Sequence, residues 1–137
     1  MPEPHYYTIK EANALLPQLT RVLVQMQAQA RQNGMVQSRI EDVTKTVKSN
    51  GHHNPIEDPM VSQVSRALAE ALREGLDQLA DWGIELKDIS TGLVDFPAMR
   101  DGRVVYLCWK LGELTVAYWH DIETGFAGRQ PLDEKSL

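Results

Sequence analysis

A single cysteine, Cys108, stands among the 137 residues, so no disulfide can form within the chain. It lies in an apolar run, VVYLCW, which predicts a buried and inert thiol. So little cysteine fits a reducing cytoplasm. Long apolar runs are missing as well. The longest are only a few residues, so none is expected to span a membrane. The opening MPEPHYYTIKEA has no basic region followed by an apolar core and does not read as a secretion signal. An excess of basic charge is also absent, with 14 Lys and Arg against 19 Asp and Glu and a net charge of -5. That argues against nucleic acid as a partner, because binding it requires clustered cations that displace counterions. Arg100 and Arg103 flank one turn, which is too small a patch to change that reading. Finally, the nucleophile and metal signatures Gly-x-Ser-x-Gly, Cys-x-x-Cys and His-Glu-x-x-His do not occur.

What is present is ordinary for a soluble globular protein: 42% hydrophobic and 24% charged residues. The length predicts one domain over 1–137. Its expected parts are a helical region over 8–82, a sheet over 83–121 and a tail over 122–137. Thr8-Ile9-Lys10-Glu11 reads as a capping box at the start of a helix. Tyr6 or Tyr7, just before it, can staple the entry. Apolar residues then recur at Ala12, Leu15, Leu16, Leu19, Val22, Leu23 and Met26, which is one helical stripe. Pro17 predicts a kink or a handover between two helices. The pattern weakens at Gly34 and resumes through Met35, Ile40, Val43 and Val47, so the helix is expected to reach about residue 49.

The segment SNGHHNPIEDP is turn-rich, and Asp58-Pro59 predicts the cap and first residue of a second helix. Its stripe is Val61, Val64, Leu68, Leu72, Leu76 and Leu79, and Gly83 reads as its stop. The expected architecture is α+β: a long antiparallel helical hairpin, followed by a three-stranded antiparallel meander packed on it. GIELKDI reads as a short strand or linker. LVDFPAMR, Asp101-Gly102 and RVVYLCWK form a β-hairpin, and Gly112-Glu113 looks like a second tight turn. With two-residue loops, Phe96 faces Leu107, Val94 faces Trp109, Leu107 faces Tyr118 and Val105 faces His120. Val94, Phe96, Ala98, Val105, Leu107, Trp109, Val116, Tyr118 and His120 then share the helix-facing side. Asp95, Pro97, Met99, Tyr106, Cys108, Ala117 and Trp119 share the other. That second side is greasy enough to need cover from the tail, a subunit or a ligand. Pro97 cannot donate to a ladder and predicts an edge or a bulge.

His120 is the first candidate functional residue, as a general base, a metal ligand or a buried hydrogen-bonder. Glu11 and Asn13 are candidate partners for it. Gly125-Phe126-Ala127-Gly128-Arg129 can cradle a small anion, with glycine amides approaching it and Arg129 clamping it. It lacks the Gly-Lys-Ser/Thr ending of a Walker A loop. His52-His53, near Glu57 and Asp58, reads as a solvated loop before it reads as a metal site. The tail is expected to fold back over the sheet. Trp119 or Phe126 would anchor it, and Arg129 would reach Asp95 or Glu11.

The stretches YTIKEANALLPQL, GIELKDISTGLVDFPAMRDGRVVYLCWKLGE and YWHDIETGFAGRQPL together resemble the bacterial domain-of-unknown-function family 2203. The likeness covers the first helix and almost everything from Gly83 onward. The resemblance implies a small cytoplasmic bacterial protein without an established activity. It places the familiar motif residues on Glu11, Asn13, Asp95, Trp109, His120, Gly125, Gly128 and Arg129. Two functions compete. One is a self-associating interaction module, a homodimer built on the helical stripes and the uncovered sheet face. The other is a small ligand binder or hydrolase-like enzyme, in which His120, Arg129, Glu11 and Asp95 converge on a polar ligand. That ligand could be a small anion, or a metal on His120. The missing catalytic constellation favours the first. No cofactor follows from the sequence.

Overall fold

The structure, a computed structural model, describes the backbone of residues 5–50 and 59–132 and the side chains of 5–34 and 63–132. Two long helices, α1 (Ile9–Asn50) and α2 (Pro59–Trp82), precede an antiparallel sheet. The sheet has five strands in sequence order: β1 (Glu85–Asp88), β2 (Leu93–Arg100), β3 (Arg103–Lys110), β4 (Tyr118–Asp121) and β5 (Gln130–Pro131). The expected meander of three is therefore its centre. GIELKDI adds β1 at one edge, and the tail adds β5 at the other. No helix of the described residues is long and apolar enough to cross a membrane.

The helix ends follow local chemistry. Thr8 Oγ1 accepts from the Glu11 amide at 3.1 Å, and Glu11 Oε1 accepts from the Thr8 amide at 3.1 Å. This is the reciprocal capping box. α1 runs on through Pro17 as one helix. α2 ends in a Schellman turn, with the Ile84 amide donating to the Leu79 carbonyl and the Gly83 amide to the Ala80 carbonyl. The Tyr7 hydroxyl donates to one more terminal carbonyl, that of Trp82, at 2.6 Å. The Tyr7 amide donates to the Pro97 carbonyl at 2.7 Å, where β2 has outrun the short β1 and its proline sits at an open edge.

The stripe of α1 packs on the sheet. Ala12, Leu16, Leu19, Leu23 and Met26 are buried against Val94, Phe96, Ala98, Val105, Leu107 and Trp109. α1 and α2 meet where Gly75 lies against Met26, and a methyl group on Gly75 would stand 2.5 Å from Met26 Cγ. The connection holding His52, His53, Glu57 and Asp58 lies outside the described residues, as do the side chains of Met35, Ile40, Val43, Val47 and Val61.

Asp101 and Gly102 both take positive φ, 51° and 79°, as a two-residue turn of the tight mirror-image kind requires. The β2–β3 register is then the expected one, Phe96 opposite Leu107 and Val94 opposite Trp109. The β3–β4 register is not. Val105 faces Asp121, Tyr106 faces His120, Leu107 faces Trp119 and Cys108 faces Tyr118. The cause is the connection, which does not close in two residues at Gly112-Glu113. β3 ends at Lys110 and β4 begins at Tyr118. The intervening loop is pinned instead. Trp109 Nε1 donates to the Glu113 carbonyl at 3.0 Å, the Lys110 amide to the Glu113 carboxylate at 2.8 Å and the Val116 amide to Asn13 Oδ1 at 2.8 Å. A shift of one residue exchanges the faces. Trp119 therefore turns into the core, and Tyr118 and His120 turn to the outer face, away from the helices. Both placements correct the sequence reading.

Candidate functional site

That exchange of faces puts His120 on the same side of the sheet as Asp95. The two stand on β4 and β2, with β3 between them, and their side chains meet over it. His120 Nε2 lies 2.9 Å from Asp95 Oδ1, and both residues are only 2% exposed. His120 Nδ1 lies 2.8 Å from the Asp121 carbonyl. A carbonyl oxygen only accepts, so Nδ1 carries a hydrogen. Nε2 and Oδ1 then share a single proton. Either an imidazolium faces a carboxylate, or a carboxylic acid donates to a neutral imidazole, and the pair is neutral in both cases. Burial pushes the Asp95 carboxyl above its ordinary value, against the downward pull of the hydrogen bond and charge of His120.

Cys108 completes the cluster from β3. Its sulfur, a carboxylate oxygen of Asp95 and a ring nitrogen of His120 all lie within 4.8 Å of one another. The thiol is fully buried, as the sequence predicts. Burial first, then the neighbouring Asp95 charge, pushes it up to about 11. A thiol held there supplies almost no thiolate at neutral pH and is no nucleophile.

Over this floor opens a cleft of about 190 Å³, with Asp95 and His120 at its base and Lys87, Tyr106, Gly125 and Phe126 around it. The Glu85 carboxylate beside it, with burial adding, pushes the Tyr106 hydroxyl up to about 12. Lys87 Nζ lies 5.7 Å from the centre of the Tyr106 ring. Ile122 and Phe126, at 57% and 46% exposed, make the cleft's outer rim apolar.

The tail does fold back, though not onto the expected carboxylates. Arg129 Nη2 donates to both oxygens of Glu113, at 2.7 and 2.9 Å. Its guanidinium lies over Tyr118, 3.8 Å from the ring centre, and 4.9 Å from that of Phe126. Gly125 takes φ 61°, ψ -160°, a conformation open essentially to glycine alone. Gly128 packs so closely on Thr124 that a side chain would collide with it. The Gly128 and Arg129 amides donate to the Gly125 and Phe126 carbonyls. The loop thus turns these two amides inward, and its glycines serve the turn.

Of the candidate ligand-binding residues, Asp95, His120 and Gly125 meet at the cleft. Gly128 and Arg129 lie beside it in the tail. Glu11 and Asn13 belong to α1, on the other side of the sheet. Glu11 is occupied by its cap and by His5, 3.2 Å away, and Asn13 by the Val116 amide. The sequence reading missed Cys108, Tyr106, Lys87 and Glu113. The signal lay in YWHD, where only the register that buries Trp119 turns Tyr118 and His120 outward together.

Fold and cleft together define a small α+β protein with a buried, neutral Asp-His pair under the outer face of its sheet. The chain belongs to the family described as Uncharacterized conserved protein (DUF2203), whose model matches residues 5–132. Comparison with curated proteins and with solved structures gave no match.

Proposed function

We propose that this protein is a binding protein whose site is the cleft over Asp95 and His120. The observation that carries the reading is the buried Asp95–His120 hydrogen bond at the base of an open cleft. Buried polar groups are expensive, and most are placed among partners that leave no room beside them. This pair instead faces a space. The space is smaller than the roughly 300–1,000 Å³ of sites for drug-sized molecules. It suits an ion with its waters or a polar ligand of a few heavy atoms, a small anion included, since Lys87 stands at its edge. Catalysis fits less well. Both ring nitrogens of His120 are engaged, and the Cys108 thiol is held protonated. A thermal-shift screen of divalent cations and small polar molecules tests the reading. A ligand at a hundredfold excess over its dissociation constant stabilises by about 2.7 kcal/mol. The shift should appear in the wild type and disappear in His120→Gln. A shift that survives in His120→Gln places the ligand elsewhere and refutes the proposal.

A second reading is self-association through the helices, taken as an antiparallel hairpin arm in a cytoplasmic bacterial homodimer. It is favoured by Val64 and Leu76 of α2, each 45% exposed, and Val24 of α1, 49% exposed. A 42-residue helix is about 63 Å long, while an eight-residue strand spans about 27 Å. Much of α1 therefore has no sheet beneath it. Sedimentation velocity tests this reading: a dimer that dissociates in Leu76→Glu supports it, and a monomer at all concentrations removes it.

A further inference from the structure

We propose that Asp95, Cys108 and His120 form a binding site for a divalent transition metal of zinc's class at the base of the cleft. The proposal deepens the binding reading above and rests on it. Its first support is the donor set. One oxygen, one sulfur and one nitrogen, from three different strands, already lie within 4.8 Å of one another. Zinc takes ligands at about 2.0–2.3 Å, so ligand atoms around one tetrahedral ion stand about 3.3–3.8 Å apart. To reach that spacing the 2.9 Å Asp95–His120 contact must open by about half an ångström, and a separation at the 4.8 Å limit must close by about 1 Å. The mixture of donors also selects the metal. Magnesium and calcium want six or more oxygens, whereas a thiolate and an imidazole suit zinc and its neighbours.

The second support is the orientation of His120. Its Nδ1–H donates to the Asp121 carbonyl at 2.8 Å, which aims the Nε2 lone pair at Asp95 and Cys108. Metal-binding histidines are fixed in this way, by a carbonyl or carboxylate on the far nitrogen.

The third support is charge. Without metal the cluster holds a thiol and a proton-sharing Asp-His pair, and its net charge is zero. With the ion bound it would hold a thiolate, a carboxylate, a neutral imidazole and a dication, and its net charge is again zero. Two protons leave as one dication enters. A buried site tolerates such an exchange because neither state buries an uncompensated charge. Three protein ligands would leave a fourth position for water or for a ligand from the cleft.

The test uses the full chain, stripped with chelator and then titrated with cobalt(II) and, separately, zinc(II). Cobalt should bind one to one and give a thiolate-to-cobalt charge-transfer band. Cys108→Ser, nearly the same size, should lose that band. Calorimetry of zinc binding in two buffers of different ionisation heat should give two protons released by the wild type and one by Cys108→Ser. Zinc binding undiminished in His120→Gln, shown folded by near-ultraviolet circular dichroism, would put the ion elsewhere and overturn the proposal. So would the absence of any cobalt or zinc binding. If a small polar ligand still stabilises the wild type but not His120→Gln, only the metal site falls and the cleft stands. If nothing does, both fall.

Discussion

Asp95→Asn should cost far less stability than Asp95→Ala. The Asp121 carbonyl holds the hydrogen of His120 on Nδ1, so a neutral ring presents a bare lone pair at Nε2. An asparagine amide at position 95 can donate to that lone pair. The pair stays neutral and hydrogen-bonded, and the expected loss is about 1 kcal/mol or less. Alanine offers nothing. It leaves a ring nitrogen buried without a partner, which costs about 1–3 kcal/mol, and a small cavity in a close-packed site, which adds about 1 kcal/mol. The sum, about 3 kcal/mol, corresponds to about 10 °C in melting temperature for a chain of this size. Urea denaturation with chelator present, followed by circular dichroism, measures both variants, and an unchanged slope confirms a common unfolded state. If Asp95→Asn proves as damaging as Asp95→Ala, the ring does not accept from the amide at Nε2, and the reasoning from a hydrogen held on Nδ1 fails.

Three further outcomes follow from other parts of the molecule. The bonds from Thr8, and then His5, hold the Glu11 carboxyl below its ordinary value. Its stabilisation is therefore present above the usual carboxylate range and lost as pH falls through the lowered folded value. The melting-point gap between wild type and Glu11→Gln should be open at neutral pH and close in acid. Gly75→Ala should destabilise by about 1–2 kcal/mol because the methyl group meets buried Met26. In a Met26→Ala background the same change should be neutral or favourable by up to about 1 kcal/mol, which a double-mutant cycle reads directly. Arg129→Lys loses the guanidinium contact with Tyr118, and hydrogen exchange at the Leu132 amide, bonded to Ala117, should quicken while that of β3 does not.

The helices were legible because their signals are local. A capping box, a stripe at helical spacing and a glycine stop each act over one or two turns, and the chain obeys all three. The Asp101-Gly102 hairpin was legible for the same reason. The site was not, because it depends on a parity. Gly112-Glu113 resembles a tight turn, yet the side chain of Glu113 binds the Lys110 amide and Asn13 reaches over from α1 to take the Val116 amide. The Asn13 contact comes from across the fold, and no local propensity records it. One residue of slip then separated Asp95 from His120 in the sequence reading, although both were singled out. The partner of Arg129 was missed through the same loop, since the tight turn centres one residue earlier, on Leu111-Gly112, with the Glu113 amide donating to the Lys110 carbonyl and the Glu113 carboxylate left to take Arg129.

Tyr7 joins what the chain keeps far apart. Its amide is bound by Pro97 and its hydroxyl by Trp82, 75 residues away. During synthesis the residues of α1 are made before every strand that its apolar face covers. Neither partner of Tyr7 yet exists, and β2, which the stripe must cover, comes later still. The fold therefore closes in one late step, after most of the chain has been made. Until then the stripe of α1 has only α2 to pack on, a state in which exposed apolar surface invites aggregation.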